Sequence, residues 1–392
     1  MEYKQKKKKI LLIAEYDQFG GAKTYFIDLL KFYRQKNFEV TVCISESEQD
    51  VKILQLINEL KFHIIKIEKR WKGLFNCWDK PFISLFIDLM LIYKAFIKVR
   101  PDLITVSNIN AKSFLGLAFF STPFLCIMHS YPLKNQSKIF IIQYLRYFQK
   151  ILLKRIFSNA AKRILSVSSY SKSEIVKFLG IPEERISVIY NFGREASEIK
   201  QDTISNDKFT VLTLGHVREY KNPFVWIKVA EKVIQYLPEK NIEFIWGGDG
   251  ELMQECNRLV TELKIGGKVK FIGYTEDIAC LYASASVYFQ PSMIESQGIA
   301  VVEAMAYSLP CVVSDMGGLP ESVENGINGY LVSPDNIDEM SQAIIALVND
   351  ERLRNEKGEH SLRIYNEKFT NEIWKQKMNE LHEKIFLSKT SN

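Results

Sequence analysis

Long apolar runs are missing from this chain of 392 residues. The best stretch, Pro81–Val99, carries Asp88, Lys94 and Lys98, so no membrane-spanning helix is expected. The six cysteines (Cys43, Cys77, Cys126, Cys256, Cys280, Cys311) are scattered, without CxxC spacing. That argues against a disulfide framework or a zinc site and fits a reducing cytosol. No G-x-G-x-x-G fingerprint occurs, so the sequence carries no dinucleotide-binding signature. Lys6 to Lys9 resemble a positive n-region, but Ile10–Ala14 is too short for an h-region and runs into Glu15, so no secretory leader is expected.

What is present is ordinary for a globular protein: 47% hydrophobic and 25% charged residues. The length exceeds that of one ordinary core, so two domains are expected. A net charge of +6 conceals an asymmetry. Residues 1–200 hold 33 Lys+Arg against 18 Asp+Glu, whereas residues 201–392 hold 19 against 28. Residues 81–170 concentrate the excess, with 12 basic and 2 acidic side chains. A polyanionic surface facing the first half alone would suit that split.

Short apolar runs alternate with helical patterns throughout. Ile10–Ala14, Val40–Ile44, Ile64–Ile67, Leu103–Val106, Phe124–Met128, Ile164–Val167 and Ile186–Ile189 read as strands of a first parallel sheet. Residues 191–208 are polar and read as a linker. Val211–Leu214, Glu243–Trp246, Val269–Ile272, Val287–Gln290, Cys311–Val313 and Gly329–Val332 form a second series. Asn371–Phe386 has a helical pattern, with Trp374, Met378, Leu381 and Ile385 at three- and four-residue steps.

The segment ESQGIAVVE, from Glu295 to Glu303, places two carboxylates eight residues apart. Pro291 and Gly298 punctuate the chain there, and Gln297–Tyr307 reads as a helix. A continuous helix would separate the carboxylates by about 12 Å, roughly the length of a sugar diphosphate plus ribose. Its N-terminus would favour phosphate through unpaired amides and the positive dipole end.

With its flanks, Gln290-Pro291-Ser292 before and Ala304-Met305-Ala306, Ser314-Asp315 and Gly317-Gly318 after, this spacing resembles the E-x7-E motif of the retaining glycosyltransferases of family 4. The resemblance covers nearly the whole chain and is strongest over about residues 209–335. It implies an α/β GT-B fold of two doubly wound, Rossmann-like domains facing a cleft. Residues 1–200 would form the acceptor-side domain and 201–370 the nucleotide-sugar domain. Residues 371–392 would form a helix crossing back to the first domain.

The same resemblance implies roles. Glu295 would lie beside the donor sugar, and Glu303 would accept hydrogen bonds from ribose hydroxyls. Gly298 would let phosphate approach the backbone, with the amides of Ile299 and Ala300 beside it. Lys221 would neutralise the diphosphate. The family's usual arginine position holds His216, a departure, and Arg218 could supply the missing charge. Gly20, Gly21 and His129 would line the reacting centre, although a Gly-Gly turn or a lone histidine after a strand is commonly structural. Gly248 belongs to the glycine loop, Tyr274 and Thr275 would flank the base, and Glu321 reads as structural at a helix start.

The function implied is transfer of a hexosyl or N-acetylhexosaminyl group from a nucleotide sugar, UDP favoured, to a lipid-linked or saccharide acceptor. Bacterial surface-polysaccharide synthesis in the cytoplasm, at the inner face of the membrane, is the matching setting. No DxD motif is evident, and no metal or cofactor is expected. Ser137–Asn159, with Arg146, Lys150 and Lys154 at four-residue steps, reads equally as a helix packed on the sheet or as a membrane-surface helix. No nucleic-acid module is visible. A sugar-nucleotide epimerase and a non-catalytic nucleotide-sugar-binding module are the rival readings.

Overall fold

The computed structural model describes residues 7–14, 21–45, 51–67, 93–107, 121–130, 151, 153–194 and 208–388. The chain divides into two compact units: residues 1–189 with 375–392, and residues 190–374. Gly20, Arg146, Lys150 and most of Pro81–Val99 lie outside the described residues. Among the described residues, no helix is long and apolar enough to cross a membrane.

The first unit is built on a seven-stranded sheet: β1 (Lys9–Ala14), β2 (Glu39–Ser45), β3 (His63–Ile67), β4 (Leu103–Ser107), β5 (Phe124–Met128), β6 (Lys162–Ser166) and β7 (Ile186–Val188). Their spatial order is β3-β2-β1-β4-β5-β6-β7, and every pairing is parallel. All five residues of β4 and of β5 are buried. This is why they read as unbroken apolar runs: a parallel sheet is covered on both faces. The helix Gly21–Gln35 follows β1 and buries Tyr25, Phe26, Leu29, Leu30, Phe32 and Tyr33. The helix Ser169–Leu179 starts where the Ser168 side chain accepts from the Ser171 amide, and it ends at Gly180 with φ 65°.

In the second unit, β8 (Phe209–Leu214), β9 (Ile242–Gly247), β10 (Val269–Gly273), β11 (Val287–Gln290), β12 (Cys311–Ser314) and β13 (Gly329–Val332) form a six-stranded sheet ordered β10-β9-β8-β11-β12-β13. These pairings are also parallel. Alternate residues feed two cores. Val211, Trp226, Phe244, Trp246 and Phe289 pack in one, and Leu212, Leu214, Tyr288 and Val313 pack in the other. Trp226 donates to Thr213 Oγ1 at 2.7 Å, so its buried indole N–H is satisfied.

Three local expectations need correction. The strand expected over Ile164–Val167 covers Lys162–Ser166. The helix expected from Gln297 begins at Ile299, because Gly298 takes φ 88° and ψ 66°. Glu295 therefore lies in a loop, and helical rise does not span the two carboxylates. The polar linker also begins packed rather than loose: Asn191 is buried and pairs with Gln297 within the second unit.

Candidate functional site

β8 and β11 are neighbours in space but not in sequence, so the chain order reverses between them. Ligands of open α/β sheets bind at such switch points, outside the carboxyl ends of the strands. The loops leaving those two ends carry the expected residues. After β8, Gly215 to Asn222 turn through a short 3-10 helix, Glu219–Lys221, into the helix Pro223–Tyr236. After β11, residues 291–298 lead into the helix Ile299–Ala306. The Met293 amide donates to the Tyr220 carbonyl at 2.8 Å and joins the two loops.

Lys221 Nζ donates to Glu295 Oε2, with the two side chains only 13% and 15% exposed. Gln290, at the end of β11, donates to the same oxygen at 3.0 Å. Its Oε1 accepts from Tyr288 Oη at 2.9 Å. Glu295 is thus held by an ammonium from the 3-10 helix after β8 and an amide from the buried end of β11. Its backbone is held as well. The Gly318 amide donates to the Glu295 carbonyl at 3.1 Å. Gly317 sits at φ 62°, where a Cβ would overlap that carbonyl, so a side chain is excluded by both conformation and space.

The helix Ile299–Ala306 begins beside this pair. The amides of Val301 and Val302 donate to the Gly298 carbonyl at 3.0 and 3.2 Å. Ile299 and Ala300 precede them in the first turn, where an α-helix provides no acceptor of its own. One turn on, Glu303 is buried among apolar neighbours. Tyr282 Oη donates to Glu303 Oε2 at 3.0 Å, and Arg194 Nε lies 3.7 Å from Oε1. Burial, and then the Glu303 charge, raise the Tyr282 phenol well above its ordinary range, so it stays a protonated donor.

The other expected residues of this unit lie close in sequence or sheet order. His216 and Arg218 are half-buried in the Lys221 loop. The Gly248 loop is joined to it: the Gly215 amide donates to the Gly247 carbonyl at 2.9 Å and the Val217 amide to the Asp249 carbonyl at 3.1 Å. Tyr274 is exposed after β10, and Thr275 Oγ1 accepts from the Asp277 amide at 3.2 Å. Glu321 accepts from Tyr190 Oη at 2.8 Å. Among the described residues, no group of His, Cys, Asp and Glu is placed to hold a metal ion.

In the first unit the order reverses between β1 and β4. Gly21 opens the helix after β1, and His129 follows β5. His129 Nε2 lies 3.0 Å from Ser107 Oγ, and its ring meets that of Tyr25 edge-on with centroids 4.7 Å apart. Burial pushes the His129 pKa down to about 4, so the ring is neutral at neutral pH.

Sequence reasoning missed Gln290, Tyr282, Arg194, Gln297 and the Ser107–His129 pair. A glutamine ending the apolar strand VYFQ was one available signal, since a buried amide needs partners. The others are long-range pairs that no local pattern marks.

Comparison with known proteins gives the relatives. The family model described as "Glycosyltransferase Family 4" matches residues 19–192, and that described as "Glycosyl transferases group 1" matches residues 195–363. An uncharacterized glycosyltransferase of Haemophilus influenzae is 34% identical over 145 residues, which are 37% of this chain and 40% of that protein. The match therefore spans less than half of that relative's length. A UDP-Gal:alpha-D-GlcNAc-diphosphoundecaprenol alpha-1,3-galactosyltransferase of Escherichia coli is 23% identical over 69% of this chain and 73% of its own. The crystal structure of Anabaena Alr3699/HepE in complex with UDP superposes with a TM-score of 0.74 at 20% identity, covering 96% of this chain and 99% of that one. The two parallel α/β sheets are those of the GT-B fold. The chain thus carries a glycosyltransferase family 4 domain over residues 19–192 and a glycosyl transferases group 1 domain over residues 195–363.

Proposed function

We propose that this protein is a retaining glycosyltransferase that moves a sugar from a nucleotide donor, UDP favoured, to an acceptor hydroxyl. The observation that carries this reading is the Lys221–Glu295 pair at the β8/β11 switch point, beside the start of the helix that bears Glu303. The hard step is departure of the nucleoside diphosphate. An ammonium has three donors, so Lys221 can hold Glu295 and still meet a phosphate. With Arg218 and the amides of Ile299 and Ala300, it would stabilise charge as the bond between the anomeric carbon and phosphate oxygen breaks. Glu295 would face the sugar hydroxyls. Glu303, steadied by Tyr282, would take the ribose, Gly248 would flank the phosphates, and Tyr274 and Thr275 the base.

Retention follows if the acceptor oxygen attacks the face that phosphate leaves, passing its proton to a phosphate oxygen. A covalent route would instead need a carboxylate nucleophile, a role that would fall to Glu295. UDP is favoured because a fold neighbour was solved with UDP and a relative's name prints UDP-Gal. That name also prints a diphosphoundecaprenol acceptor, which supports a lipid-linked acceptor and a role in bacterial surface polysaccharides. In the first unit, Tyr93, Ile97 and Ile151 are exposed beside exposed Lys94, Lys98, Lys154 and Arg155. Such a mixture suits the anionic cytoplasmic face of a membrane. Salt-sensitive co-sedimentation with anionic but not neutral vesicles tests that contact, and equal binding to both would refute it.

The activity test is incubation with a panel of nucleotide sugars. Acceptor-dependent release of nucleoside diphosphate supports transfer. An altered nucleotide sugar would mean epimerisation, and binding without turnover would mean a binding module.

A further inference from the structure

Gln297 lies two positions after Glu295 and is 1% exposed, yet it faces backbone rather than ligand. Its Oε1 accepts from the Asn191 amide at 2.7 Å, and its Nε2 donates to the Asn191 carbonyl at 2.9 Å. One side-chain amide thus pairs with both backbone polar atoms of one residue, as a neighbouring β-strand would. Asn191 follows the point, between Ile189 and Tyr190, where the chain passes from the first unit to the second.

The contact continues along the segment. A Cβ on Gly193 would stand 3.0 Å from both Glu303 Cα and the Val302 carbonyl oxygen, tighter than ordinary packing. The Gly193 carbonyl accepts from Tyr365 Oη at 3.1 Å. Arg194 then reaches Glu303, and Tyr190 reaches Glu321. Residues 190–194 are therefore braced against both ends of the segment that carries Glu295 and Glu303.

We infer that Gln297 is a positioning residue that couples the unit-boundary segment to the donor loop, so that the Asn191 backbone sets where Glu295 and the Gly298 turn stand. Both bonds are buried, and breaking either leaves an unpaired polar group in the interior, so the two segments move together. The inference deepens the donor-site reading above and rests on it for its catalytic consequence, but not for the coupling itself.

The test uses the full chain. In the wild type, hydrogen exchange at Asn191 and at residues 296–298 should respond identically to denaturant, as one opening unit. Gln297→Met, which keeps length but loses both bonds, should lose protection at both segments and leave β8 to β13 unchanged. Gln297→Glu keeps an acceptor for the Asn191 amide and should lose less. Asn191→Ala keeps the backbone bonds and should retain protection. Misplacement of the donor loop should lower kcat of Gln297→Met about 10- to 100-fold with little change in uridine affinity. Independent opening of the two segments, or a Gln297→Met variant with normal exchange and kcat, would overturn the coupling. The exchange measurements need no substrate. A wild type that turns over no nucleotide sugar would therefore overturn the donor-site reading alone.

Discussion

Lys221 and Glu295 belong to loops from two adjacent strands and meet in a nearly enclosed ion pair. Gln290, at the end of β11, bonds Glu295, and the loop after β8, from Gly215 onward, carries Lys221. The pair thus records the sheet's switch point in two side chains. If Glu295 acts on the reacting sugar, Glu295→Gln should lose roughly 100-fold in kcat with nucleotide affinity little changed. Steady-state kinetics with free-nucleotide titration checks this. Near-normal turnover would remove Glu295 from the site.

Glu303 should fail differently. It lies one helix turn into Ile299–Ala306 and accepts from Tyr282. Glu303→Ala should weaken binding of free nucleotide by roughly 1–3 kcal/mol, and Tyr282→Phe by about 1 kcal/mol, because only the latter keeps the acceptor. Calorimetric titration reads both. Equal affinity for wild type and Glu303→Ala would place the ribose elsewhere.

The missing arginine yields a pairwise comparison. Arg218 shares the Lys221 loop with His216. An imidazole lacks the bidentate fork of donors that a guanidinium offers to phosphate. Arg218→Ala should lower turnover and diphosphate affinity more than His216→Ala does. The reverse order would give His216 the hydrogen-bonding role.

Acid stability depends on a histidine of the first unit. His382, in the helix Asn371–Leu387, is buried. Its ring lies 3.3 Å from Tyr33 Oη and 2.6 Å from the Met378 carbonyl. Burial lowers its pKa from the ordinary 6.5 to about 4. The folded state therefore refuses a proton that the unfolded chain accepts below pH 6.5. Stability is complete above that value and is lost as pH falls toward 4. Urea unfolding at about pH 7.5 and about pH 5 should differ by about 2 kcal/mol from this residue. His382→Gln should lose less over the same interval. An identical pH dependence in the two proteins would contradict the assignment.

Interior strands were legible because parallel sheets are covered on both faces, so Phe124–Met128 and Val287–Gln290, all buried, stand out as mainly apolar blocks with the bounds observed. Edges were less legible: Lys9 and Glu39 extend β1 and β2 although neither is apolar, because backbone pairing continues past the buried core. The Glu295, Glu303 and Lys221 positions could be named from spacing and resemblance. Their supports could not. Gln290, Tyr282 and Gln297 act through partners 5, 21 and 106 positions away, and hydrogen bonds across such separations leave no periodic trace. The helix start was misplaced by Gly298, whose positive φ ends the loop rather than continuing a helix.

The most direct test of the central claim is the affinity of UDP, set against uridine, for wild type and Lys221→Met. A diphosphate held at Lys221 and the start of Ile299–Ala306 predicts that the variant binds UDP more than about tenfold more weakly while uridine affinity stays unchanged. Equal UDP affinity in the two proteins would contradict the account.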